Sequence, residues 1–243
     1  MALPDVEVEG ATIVVLGRFN PAIFSPAWLR LHNLIGAVEA SEADVKMIIP
    51  PAAVFSTEWL SVDVRHDRMQ LGTAMPQEVE RLRDTAIGVL SVLPETPISA
   101  VGINRDVHWA TPSREKYDWF GDELAPKKFW DRHLKLSGTQ DLTIRAVRPD
   151  NWAGYILVSV QPSTLVKPCG VYAMVNDHAL LRKVPSQPRS RADTPPIEAQ
   201  DTIEPSRDLI PLALEVLRDE WPSRMVQADR VLGSLIHMSR ERS

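Results

Sequence analysis

Four places in the chain set a histidine beside or one residue away from an acidic side chain: Arg65-His66-Asp67, Asp106-Val107-His108, Asp131-Arg132-His133 and Asn176-Asp177-His178. A carboxylate and an imidazole together can pass a proton near neutral pH or ligate a metal ion. Spacing separates these sites. In residues 98–109, ISAVGINRDVHW, the apolar Val101, Ile103, Val107 and Trp109 alternate with Gly102, Asn104, Asp106 and His108. That is the period of a strand with one apolar and one polar face. Asp106 and His108 therefore share a face and are the catalytic candidates, as acid and base or as ligands reached from one side. Asn104 on the same face, Arg145 placed to hold an anion, and Asn176 beside His178 complete a candidate ligand-binding set.

Established reaction motifs are missing around them. The six histidines form no HExxH or HxxEH spacing, and there is no GxSxG elbow, GxxxxGK[ST] loop or GxGxxG turn. The reading therefore expects no metal and no cofactor. Cys169, the one cysteine, sits in KPCGVY, where Pro168 and Gly170 predict a turn into a strand rather than an activated thiol. The segment from Tyr117 to Leu134, YDWFGDEL followed by KKFWDRHL, is the richest in aromatic and charged residues together. Its Tyr117, Trp119, Phe120 and Trp130 are candidates for a protein-binding edge, because aromatic side chains fill interface pockets.

The elements that must position these groups follow from periodicity. Ala11–Phe19 predicts an interior strand, and Ser25 with Pro26 caps a helix over 26–39. Strands at Val45–Ile49, Glu58–Arg65 and Met69–Thr73 form a meander, and a helix runs from Pro76 to Pro94. The order is βαβββα. The second half repeats it, with strands at 98–109, 142–147, 155–160 and 171–176 and a helical insertion at 112–136 broken at Pro126. Gly17 and Gly102 align at an offset of 85, Pro50 and Pro149 at 99, and Val62-Val64 with Val158-Val160 at 96. The expected fold class is α+β: an antiparallel meander sheet with helices on one face, internal duplication of a βαβββα unit being one of two readings. By fold analogy alone, two such halves can join edge to edge into one curved sheet, similar to the TATA-binding arrangement.

The expected organisation is a first half at 1–95, a second at 96–182, a Pro-rich linker at 183–205 and a helical tail at 206–243. In the tail, Ile210, Leu214, Leu217, Trp221, Met225, Ala228, Leu232 and Leu235 repeat at helical spacing. That stripe must pack on its own sheet or on another protein, which makes Leu214, Leu217, Trp221 and Leu232 further protein-binding candidates.

Composition bounds the function. The 243 residues are 44% hydrophobic and 24% charged, as in ordinary globular proteins. Lys and Arg number 27 against 32 Asp and Glu, a net charge of -5 that argues against general nucleic-acid coating or a DNA saddle. The solitary thiol fits a cytoplasmic setting, and no apolar run approaches a membrane span, so no membrane partner is expected. The leading expectation is a non-enzymatic, bacterial-type cytoplasmic binding or assembly subunit whose partner is another protein or a second copy of itself. The alternative is an enzyme or small-ligand binder with its site on the polar face of the sheet.

Overall fold

The computed structural model describes residues 3, 5–184 and 202–241. Nine strands and six α-helices follow in the order β1 (Val8–Gly17), α1 (Pro26–Leu31), α2 (Ala37–Ser41), β2 (Asp44–Ile49), β3 (Ala52–Ser56), β4 (Ser61–Arg65), β5 (Arg68–Thr73), α3 (Val79–Val92), β6 (Ile98–Ala110), α4 (Arg114–Leu124), β7 (Leu142–Val147), β8 (Trp152–Pro162), β9 (Gly170–Lys183), α5 (Ile210–Arg218) and α6 (Trp221–Met238). The strands form one antiparallel sheet in the order β2-β3-β4-β5-β1-β6-β9-β8-β7. The fold is α+β with a meander sheet.

Local chemistry explains most boundaries. Ser25 caps α1, its hydroxyl accepting from the Trp28 amide at 3.1 Å, with Pro26 in the first turn. The single helix expected over 26–39 is broken, because Asn33 takes a left-handed conformation (φ 56°) and Gly36 starts α2, its amide bonded to the Glu39 carboxylate at 2.6 Å. Pro50-Pro51 turns β2 back onto β3, a strand the sequence reading did not assign. The strand expected from Glu58 begins at Ser61, with Trp59 in the preceding loop donating its indole N–H to Glu39 at 2.9 Å. In β8, Gly154 follows a register shift with φ 120°; a Cβ there would lie 2.2 Å from the His178 carbonyl oxygen.

The first strands of the two expected halves, β1 and β6, pair at the centre of the sheet from Val8↔His108 to Gly17↔Ile98. One face is apolar: Ile13 and Val15 of β1, Val101, Ile103 and Val107 of β6, and Ala173 and Val175 of β9 are buried against the helices. The offset of 85 joins opposite faces, since core-facing Val15 would match Ala100, which packs with Leu180 and Ala153 in a separate small cluster. The offset of 96 keeps Val62 and Val64 on the same face as Val158 and Val160. The expected linker at 183–205 lies mostly outside the described residues, which omit 185–201.

The tail packs on its own sheet. Leu217 and Leu232 are fully buried and Trp221 nearly so, its indole donating to Glu80 of α3 at 3.0 Å. Ion pairs fix α6 further: Arg224 pairs with Asp177 of β9, and Asp229 lies 3.3 Å from Arg105 of β6.

Candidate functional site

The face of the sheet away from the helices carries the polar candidates. Its central positions are small, with Gly10 and Thr12 on β1, Gly72 on β5 and Gly102 on β6, so larger neighbours lean over the backbone. Thr12, Asn104, Asn176, Leu157 and Arg145 form one row across β1, β6, β9, β8 and β7. Gly10, Asp106, Met174 and Ser159 form the next, and His108 opposite Tyr172 and Gln161 the one after.

Burial on this face is greater than the alternation alone implies. Asn104 and His108 keep only 9% and 7% of their surface, because β6 is flanked on both sides and its neighbours' side chains close over it. A polar face is thus not an exposed one at these two positions. His108 Nδ1 lies 2.8 Å from the Ser163 hydroxyl, and its ring packs on Tyr172 at 4.7 Å. Burial lowers the His108 pKa against the pull of Asp106, and burial raises that of Asp106 against the pull of His108 and Arg105. Burial, with the Asp106 charge, pushes Tyr172 up to about 12.

Asp106 leans against Gly10, whose absent Cβ would sit 3.1 Å from its Oδ1. The Oδ1 atoms of Asn104 and Asn176 are buried with no hydrogen-bond partner. Asn104 and Asn176 are paired across β6 and β9, and the Asn176 oxygen lies toward Gly102, away from Asp106. Arg145 lies in the same row, two strand spacings or about 10 Å from Asn176 and three or about 14 Å from Asn104. Its guanidinium lies 4.4 Å over the Tyr155 ring, and Tyr155 stacks on His178 at 4.6 Å. Burial, and the nearby Arg148 and Arg145 charges, lower His178 to about 4, against the pull of Asp177. No cluster of three or more metal-ligating side chains occurs among the described residues.

The protein-binding candidates divide by burial. Phe120, Leu217, Trp221 and Leu232 are taken up by the chain's own core, and Tyr117, Trp119 and Leu214 are half-buried against it. The burial has one cause: the tail and α4 cover the helix side of the sheet, so their apolar faces pack within the chain, the first of the two alternatives for the tail. Trp130 stands out at 51% exposure, joined by Phe129, Leu134, Leu136 and, on edge strand β7, Ile144 and Val147. Phe129 and Leu134 fall within the Tyr117–Leu134 segment that the sequence singles out; Leu136, Ile144 and Val147 were missed, the last two because strand order within the sheet is not written in any single strand. It also missed the buried Arg148–Asp177–Arg224 cluster. Alternation held a signal for it: Asp177 shares its side of β9 with Val171, Ala173, Val175 and Ala179, so a carboxylate there needs a cationic partner.

No protein-family model matches the chain, and no curated protein matches it.

Proposed function

We propose that this chain is a non-enzymatic assembly subunit that associates with a second copy of itself through the edge of its sheet. The observation that carries this is the state of the edges. Among the described residues neither outer side of β2 or β7 pairs with another strand, and both expose apolar side chains: Val45, Met47 and Ile49 on β2, Ile144 and Val147 on β7. Unpaired strand edges with apolar side chains are templates for strand addition. Strand β7 suits itself best, because antiparallel pairing centred on Ile144 sets Leu142 opposite Ala146 and Thr143 opposite Arg145, with no like charges facing. A cytoplasmic setting agrees with the free Cys169 thiol. The same reading takes the two halves as copies of one unit, supported by the central β1–β6 pairing and the face-preserving offset of 96.

Light scattering on the full chain tests the proposal. A dimer is expected, and Ile144→Lys should give a monomer with unchanged melting, since exposed substitutions stay within about 0.5 kcal/mol. A monomeric unmodified chain at micromolar concentration overturns it.

The buried, unpartnered oxygens of Asn104 and Asn176, paired across β6 and β9, favour a second reading, a small ligand carrying N–H donors on the polar face. A thermal-shift screen of amines and amides supports that reading if a compound stabilises the parent chain but not Asn104→Ala.

A further inference from the structure

Residues 128–136, KFWDRHLKL, are exposed one after another between α4 and β7. Four of them are large and apolar, with Phe129 at 59%, Trp130 at 51%, Leu134 at 56% and Leu136 at 102% of full exposure. Contiguous exposure of this kind marks an interaction surface. The segment is held at its base: Lys127, itself buried, donates to the Gly121 carbonyl at 3.1 Å and also bonds the Ala125 carbonyl and the Thr139 hydroxyl. Above that anchor Phe129 meets Trp130 edge to face at 5.1 Å, and Leu136 holds a left-handed backbone (φ 53°), unusual for a leucine, that leaves its side chain wholly in water.

Charge selects the occupant. Lys128, Arg132 and Lys135 stand among these apolar groups against the single acid Asp131, and none of the three forms an ion pair among the described residues, whereas the whole chain carries -5. The segment is thus a basic, aromatic and leucine-bearing projection on an acidic body. Phe129 and Leu136 project outward, while Trp130 and Leu134, half-exposed, also border a shallow surface cavity; a bilayer surface takes up such projecting groups without the shape complementarity a protein partner would need. Aromatic and leucine side chains enter the acyl boundary while lysine and arginine reach back to anionic headgroups.

We propose that residues 128–136 are a peripheral membrane-binding element for bilayers containing anionic lipid. This replaces the expectation of no membrane partner, which rested on the lack of an apolar span; a peripheral contact needs none. The acidic remainder of the chain is repelled by the same surface, so docking is oriented with this segment toward the lipid.

Co-sedimentation of the full chain with phosphatidylcholine vesicles, with and without phosphatidylglycerol, tests the assignment. Binding is expected only to the anionic vesicles and should weaken as salt is raised. Replacing Lys128, Arg132 and Lys135 together by alanine should weaken it by roughly a hundredfold, at about fivefold per charge. Leu134→Ser with Leu136→Ser should also reduce it, and both variants should melt as the parent does because every changed residue is exposed. Absence of binding to anionic vesicles, equal binding to pure phosphatidylcholine, or binding indifferent to the triple replacement overturns the proposal. Capture by polyglutamate without capture by vesicles also overturns it, and assigns the segment to an acidic protein.

Discussion

Asp177 holds two guanidiniums in the interior, Arg148 at 2.5 Å and Arg224 from α6, while the Nε and Nη2 of Arg224 have no hydrogen-bond partner. Removing Asp177 leaves Asp150, which pairs with Arg148 and lies 3.6 Å from Arg224, to serve both buried guanidiniums, so Asp177→Ala should cost about 3 kcal/mol in chemical denaturation. Arg224→Met removes a desolvated charge, fills similar volume and leaves the Arg148–Asp177 pair, and should cost less. Equal losses would show that Arg224 is as necessary as the acid. His178 supplies a pH dependence with a definite sign. Its folded pKa of about 4 lies below the ordinary 6.5, so the unfolded chain binds its proton first on acidification. The stability it contributes is complete above pH 6.5 and is lost as pH falls toward 4, by about 3 kcal/mol at most. Asp106, whose pKa burial raises, acts in the opposite sense, its contribution present at low pH and lost as pH rises through the folded value. His178→Gln should flatten the fall in melting temperature between pH 6.5 and 4; an unchanged slope would place the titration elsewhere.

The helices of the tail put a larger test at the scale of the element. Residues Ile210, Ala213, Val216, Leu217 and Trp221 join the core cluster built on β1 and α3, and Leu232 and Ile236 join the one built on β6 and β9. A chain ending before Ser206 uncovers both, so it should aggregate or lose its cooperative melting transition. Cooperative melting at an unchanged temperature would make the tail an accessory. Most elements were legible in sequence because their signals are local: the β6 alternation, the Ser25-Pro26 cap and the helical stripe of the tail all name their faces. Strand β3 was not, because AAVFS is short and follows two prolines that read as loop, and its place is fixed by pairing on both sides with β2 and β4. The candidate site was legible in its faces and not in its depth. Alternation put Asn104, Asp106 and His108 together, but how far β1 and β9 bury them depends on the order of strands, which is long-range information. For the same reason Arg145 could be assigned to the polar face and not to its partner, Tyr155.

At the scale of the molecule the question is whether the two halves fold as one. The larger core cluster takes Ile13, Val62, Leu71 and Leu82 from the first half and Val101, Ile103, Trp152, Ala179 and Leu181 from the second. Strand β6 also supplies Val107 and Trp109 to the second cluster, so a single strand is shared by both interiors. Opening the β1–β6 seam would expose both core-facing rows and break the ladder from Val8↔His108 to Gly17↔Ile98. Calorimetry of the full chain should therefore show one transition, with calorimetric and van't Hoff enthalpies equal. Residues 1–95 alone should aggregate rather than fold, since β1 would become an apolar edge and α3 would lose α5, which packs against it. Two resolved transitions, or a cooperative isolated first half, would show that the seam joins two bodies each stable alone and that the tail merely spans them.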